Sequence, residues 1–183
     1  MSDPAFEGTV VGVAAKRRHD FSKESRASIR LISGQGVEGD AHAGALVRHR
    51  YLARRNPRAP NLRQVHLIPR ELFDVVRPFG YDVYPGYLGE NITTVGLDLE
   101  GLPLGTQLRF SSAASVELTG LRTPCVLIDQ FKAGLKRRML GDPAGPAYRA
   151  GVMAIVLHGG EVSAGDRIRA VLPPLPRLPL PPL

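Results

Sequence analysis

Apolar positions in this chain come in short bursts separated by turn residues, and this pattern predicts strands rather than long helices. Phe6 to Ala15 reads as a first strand, and Lys16 to Ser28 as a polar, charged connection. Ser28 to Ser33 is a second strand closed by Gly34-Gln-Gly36. A polar segment, Gly36-Val-Glu-Gly-Asp-Ala-His-Ala-Gly44, follows and is too rich in glycine for a helix interior. Arg48 to Pro60 is a basic excursion before the strand Gln64 to Ile68. From Pro69, the apolar residues Leu72, Val76 and Phe79 recur at helical spacing, and Gly80 supplies a stop.

Further strands are expected around Ile92 to Thr94, at the end of Leu102 to Phe110, and over Ala114 to Leu121. After Cys125, Asp129 can cap a helix whose face carries Phe131, Leu135 and Met139, with Lys136, Arg137 and Arg138 at its carboxyl end. Gly151 to Leu157 and Arg167 to Leu172 make a closing pair of strands. The fold class this implies is mainly β. Seven or more short strands with tight turns point to a closed or nearly closed β-barrel with a few short α-helices, because a flat sheet this long would expose its edges. At 183 residues the chain fits one such domain, residues 1–172, followed by a Pro/Leu-rich tail, residues 173–183. That tail is expected to run extended on the surface, with Pro173-x-x-Pro176 as a candidate peptide-groove ligand.

Composition agrees, since 20 glycines and 16 prolines mean many turns. The formal charge of +7 arises from 20 arginines and only 4 lysines. The basic residues are spread along the chain without aromatic interleaving or a helix-turn-helix or zinc-finger pattern, which argues against nucleic acid as partner. A basic surface that attracts small anionic ligands is the expectation. The amino-terminal stretch lacks a basic start followed by an apolar run, and no segment approaches membrane-spanning length, so a cytoplasmic protein without membrane contact is expected.

Three segments carry more polar chemistry than a plain barrel needs. Glu38, Asp40 and His42, followed by His49-Arg50, place carboxylates and imidazole on one loop, suited to proton transfer, to a divalent metal or to turn hydrogen bonds. Gly89-Glu90-Asn91 allows close backbone approach, and its side chains can accept from and donate to a polar heterocycle. Arg122-Thr123-Pro-Cys125 delivers a guanidinium and the chain's one thiol to one place. A lone cysteine forms no internal disulfide, so Cys125 is either a packed core residue or a single-point ligand or nucleophile. A neighbouring guanidinium favours the thiolate and offers forked donors to an anion. The remaining histidines read as structural: His66 points into or out of the barrel, His158 precedes a turn and His19 is solvated.

Together with Leu-Pro-Leu-Gly-Thr at 102–106 and the run from Gly151 to Asp166, the segments at 36–42, 85–93 and 118–125 resemble the MOSC domain, the carboxyl-terminal domain of molybdenum cofactor sulfurases. Stand-alone bacterial members of that family include YiiM-type proteins. The resemblance runs from about Gly8 to Leu172 and implies a β-barrel that binds the molybdenum cofactor (molybdopterin), with Cys125 as metal ligand or sulfur carrier. It implies cofactor contacts from Arg122, Thr123, Gly89, Glu90 and Asn91, and a supporting or proton-donating role for Glu38, Asp40 or His42. Reduction of a small N-hydroxylated substrate is the first functional expectation, and a persulfide or cofactor carrier is the alternative. The chain has neither the length for the sulfurases' pyridoxal-phosphate domain nor a sign of a Schiff-base pocket around Lys16, Lys23, Lys132 or Lys136, so no pyridoxal phosphate is expected. Without a ferredoxin or dinucleotide pattern, a reductase needs an external electron donor, and a carrier needs a sulfur-transfer partner. The sequence leaves the barrel free to form an oligomer.

Overall fold

The computed structural model describes residues 6–183 apart from His49 and Asp142, and for Arg50 and Tyr51 the backbone alone. His49, expected on the polar loop, therefore lies outside the described residues. The strands are β1 (Glu7–Ala15), β2 (Glu24–Arg26), β3 (Ser28–Ile32), β4 (Gly36–Val37), β5 (Val65–Pro69), β6 (Ile92–Val95), β7 (Gln107–Phe110), β8 (Ser115–Leu121), β9 (Val152–His158), β10 (Gly160–Ser163) and β11 (Arg167–Val171). The α-helices are short: α1 (Arg50–Arg55), α2 (Glu71–Val76), α3 (Val126–Phe131) and α4 (Leu135–Arg138). None of the described helices is long and apolar enough to cross a membrane.

The main sheet runs β11-β7-β8-β9-β5-β6-β1-β2, and β1 also pairs with β11, which closes seven of these strands into a barrel. Closure removes the free edges that an open sheet of this length would present. All pairs are antiparallel except β5 with β6, which are parallel and joined through α2. A second, three-stranded sheet, β10-β3-β4, packs beside the barrel. Alternation places Val10, Leu67, Ile92, Leu108, Leu118 and Val156 in one core inside the barrel. A second core, including Ile68, Phe73, Leu88, Ile128, Leu135 and Met139, lies under the helices, with half-buried Cys125 packed against it. The segment after β8 therefore runs along the seam between barrel and helices.

Two helical expectations are corrected. The predicted helix after Pro69 ends its α-helical part at Val76 and tightens into a single 3₁₀ turn, Arg77–Phe79, stopped by Gly80 at φ 84°. The tighter winding turns Phe79 away from the buried side, where Leu72 and Val76 remain; Phe79 is exposed and lies under the Arg138 guanidinium. The expected single helix after Cys125 is broken in two at Gly134, which takes φ 79°. Asp129 sits inside α3 instead of capping it. Its carboxylate accepts the backbone N–H of Lys136 at 2.9 Å and so supports the start of α4.

The Pro/Leu tail is docked rather than merely extended on the surface. Leu180 is buried in the barrel core. The backbone N–H groups of Leu104, Leu121 and Thr123 donate to the carbonyls of Leu178, Pro181 and Leu183, and the Leu183 N–H returns to Leu121. The tail thereby braces the strand end from which Arg122 and Cys125 project. Leu180→Ala is expected to cost about 2 kcal/mol in urea denaturation, at the low end for a buried Leu truncation because a chain end can relax. A midpoint equal to wild type would show that the tail carries no stability.

Candidate functional site

Strand β8 is buried along almost its whole length and delivers Arg122 straight off its end. The Arg122 backbone N–H donates to the Gly151 carbonyl at 2.9 Å, and the Thr123 N–H donates to Leu183. Cys125 then occupies the N-cap of α3 in extended conformation (φ −103°, ψ 169°), with no capping hydrogen bond from its side chain. These residues form one wall of a cavity of about 310 Å³. His42, Gly89, Asn91, Arg122, Thr123 and Cys125 all line it, so the fold brings together residues from all three polar segments of the sequence.

The cavity is cationic, and its cations are incompletely satisfied. Arg122 is 8% exposed, yet its Nη1 has no hydrogen-bond partner, and the same is true of the buried Nε of Arg63, also on the cavity wall. Burial pulls both guanidiniums down from their ordinary pKa. For Arg63 the neighbouring Arg122 adds to the effect, while Cys125 opposes it for both. A buried guanidinium N–H left unpaired costs free energy, about 1–3 kcal/mol for an ordinary group and more for a charged one. The arrangement is therefore complementary to an anion that brings acceptor oxygens. Phe21, 6.0 Å below the Arg122 guanidinium, and Leu127 supply apolar wall.

Behind this surface lies a network centred on Asp40. Its carboxylate accepts from the Lys23 ammonium (3.0 Å), the backbone N–H groups of His42 (3.0 Å) and Lys16 (3.2 Å), and the Asn91 amide (3.2 Å). Burial pushes the Asp40 carboxyl up, but the hydrogen bonds from His42 and the charge of Lys23 together hold it well below the usual carboxylate range. Lys23 is pulled down by burial, against the opposing charge of Asp40. His42 Nδ1 lies 3.5 Å from Asp40 Oδ1, and its ring meets that of His19 edge-on at 5.3 Å. Asn91 is held on both ends, since its Oδ1 accepts the His66 N–H and its Nδ2 also donates to the Ala14 carbonyl.

Two expected site residues sit elsewhere. Glu38 is exposed and outside the cavity wall, because the turn at Gly39 (φ 71°) separates it from buried Asp40. Glu90 is fully buried but faces its own loop: it accepts the N–H groups of Gly86 (2.7 Å) and Leu88 (3.1 Å) and the Thr93 hydroxyl (3.0 Å). Its oxygens are committed to that turn, and it braces the loop that carries Gly89.

Sequence reasoning missed Lys23, Arg63, Phe21 and His66. The sequence puts Lys23 in a polar, charged connection, but the short strand β2 pairs with β1 and draws it inward. No local signal separates Arg63 from the other arginines. For His66 the alternation of β5 leaves two directions, and the structure turns it out of the barrel, on the side of Ile68 and opposite Val65 and Leu67, with Nε2 3.0 Å from the Ala150 carbonyl. Burial and the charge of Arg122 hold its pKa well below the ordinary imidazole value, so the ring is neutral. Among the described residues, no three His, Cys, Asp or Glu side chains converge as a metal-binding group.

The sequence model of the MOSC domain matches residues 41–169. The YUAD protein from Bacillus subtilis has a similar structure, with 23% identity, a TM-score of 0.75, and 90% of this chain and 95% of that one covered. YiiM from Geobacillus stearothermophilus is similar at 18% identity, a TM-score of 0.65 and coverages of 94% and 79%. YiiM from Escherichia coli aligns at 20% identity, a TM-score of 0.59 and coverages of 91% and 71%. At these identities the likeness establishes a shared fold. No curated protein matches the chain significantly in sequence.

Proposed function

This chain belongs to the MOSC domain family, which is associated with molybdenum-cofactor binding, and we propose that its cavity holds that cofactor and reduces a small N-hydroxylated substrate. The observation that carries the proposal is the pair of unpartnered guanidinium donors, Arg122 Nη1 and Arg63 Nε, in the same cavity as the chain's one thiol. The donor set suits the group. A phosphate-bearing cofactor supplies the acceptor oxygens these donors lack, and a thiolate is a suitable soft ligand for molybdenum. When bound, the cofactor supplies two-electron redox chemistry.

The chain's own residues then have distinct tasks. Cys125 ligates the metal, Arg122 and Arg63 hold the phosphate, and Gly89 and Thr123 give close backbone approach at the wall. His42, steadied by Asp40, delivers protons at the cavity edge. The overall reaction converts an N–OH group to N–H and water with two electrons and two protons, the electrons coming from an external donor protein. The test is turnover of an N-hydroxylated nucleobase by purified protein with a chemical reductant. Reductant-dependent loss of the hydroxyl, absent in Cys125→Ser, supports the reading. Cyanide-releasable sulfur on Cys125 without turnover would instead establish the sulfur-carrier alternative.

Anion binding can be checked separately. In cofactor-free protein, Arg122→Gln is expected to weaken inorganic phosphate binding about tenfold by calorimetry, the scale of one charge-assisted hydrogen bond. Unchanged phosphate affinity would remove Arg122 from the anion site.

A further inference from the structure

Glu100 is buried in a 3₁₀ turn, Leu99–Gly101, and borders a groove that shares no lining residue with the cavity. Its Oε1 accepts the backbone N–H of Gly151 at 3.1 Å. The carbonyl of the same peptide unit, that of Ala150, lies 3.0 Å from His66 Nε2 on the cavity wall. A trans peptide is planar, with its N–H and C=O pointing in opposite directions. Whatever fixes the N–H at one end therefore aims the carbonyl at the other.

We infer that Glu100 is a positioning residue for the cavity: through the Ala150–Gly151 peptide it fixes the orientation and tautomer of His66. The neutral ring has one N–H to give. The Ala150 carbonyl, held in line at 3.0 Å, competes for that proton with the Gly89 backbone at the ring, and its alignment draws the proton to Nε2 and leaves Nδ1 the bare nitrogen. Either protonation state of the Glu100 carboxyl retains an oxygen acceptor, so the alignment does not depend on its charge.

The site is built so that this acceptor matters. Gly151 has φ 85°, and a Cβ there would strike the Leu67 carbonyl, so the position belongs to glycine, whose backbone reorients easily. Without Glu100 a buried N–H is left unsatisfied, and rotation of the peptide toward another acceptor becomes favourable. Such a rotation withdraws the carbonyl from His66. It also disturbs the next hydrogen bond, from the Arg122 N–H to the Gly151 carbonyl.

The inference rests on the proposed function only in taking this cavity as the working one. It is tested in cofactor-free protein by nitrogen-15 spectra of the His66 ring and by hydrogen exchange of the Arg122 amide. Wild type is expected to show a single Nε2–H tautomer. Glu100→Gln, which keeps an acceptor oxygen, should retain it. Glu100→Ala should show mixed or reversed tautomers and faster Arg122 exchange by about tenfold, equivalent to about 1.4 kcal/mol of lost local protection. Should Glu100→Ala fail to fold, Glu100→Asp, whose carboxylate stops one methylene short of Gly151, is read the same way. An Nδ1–H tautomer in wild type overturns the inference, as do wild-type ring signals in folded Glu100→Ala. Either result leaves the cofactor proposal untouched, and an absence of cofactor leaves this relay standing.

Discussion

Asp40→Ala is expected to destabilise the fold by about 3–5 kcal/mol, the cost of breaking one partner out of a buried ion pair. The penalty comes mainly from what is left behind. The Lys23 side chain is 4% exposed, and Asp40 Oδ1 is the carboxylate oxygen paired with its ammonium at 3.0 Å. Removal of that carboxylate also frees the N–H groups of Lys16 and His42 and one amide hydrogen bond of Asn91. The loop carrying His42 and the Gly89-Glu90-Asn91 loop before β6 would lose their common tie. Lys23→Met, which removes the ammonium but keeps the chain's bulk, tests whether the unpaired cation is the main cost. The double variant Lys23→Met/Asp40→Ala should then be less destabilised than the sum of the two single changes.

Acid should act on the same bond. Because the folded state holds the Asp40 carboxyl below its ordinary pKa, the unfolded chain takes up the proton first as pH falls. The stabilisation is therefore fully present above the ordinary carboxylate range and fades below it. Urea midpoints of wild type and Asp40→Ala should converge on acidification. A difference below about 1 kcal/mol at neutral pH would make Asp40 an ordinary turn residue.

Cys125→Ser should give the largest functional effect with the least structural one. Serine is a favoured N-cap residue, and Cys125 caps α3 without using its side chain, so folding stability should stay within about 1 kcal/mol of wild type. Metal retention should fall by about 100-fold or more, since loss of even an outer-shell partner commonly costs 10–100-fold. Reductant-dependent turnover should disappear with it. Retained activity in this variant would return Cys125 to the role of a packed residue against the helical core.

The barrel was legible because its signals are local. Alternation and glycine-marked turns located β1, β3, β5 and β8 within a residue or two, and the need to cover strand edges implied closure. The break between α3 and α4 was not legible, because Phe131, Leu135 and Met139 keep helical spacing across it while Gly134 takes a left-handed conformation. At the site, Cys125, Arg122, His42 and Asn91 stood out as chemistry beside glycine or at a strand end. Lys23 and Arg63 did not, since their importance arises from burial, and burial of a charged residue depends on contacts distant in sequence. Lys23 and Asp40, its partner, are 17 residues apart. Glu90 illustrates the converse: a carboxylate beside two loop residues that line the cavity can be taken up by the loop's own N–H groups and a strand hydroxyl.

The most direct test is the content of molybdenum and released pterin per chain, measured in fresh protein from a host that makes the cofactor, beside Cys125→Ser. Near-stoichiometric amounts of both are expected in wild type, with loss of the metal in the variant. Folded wild-type protein that carries neither molybdenum nor pterin would contradict the proposed function.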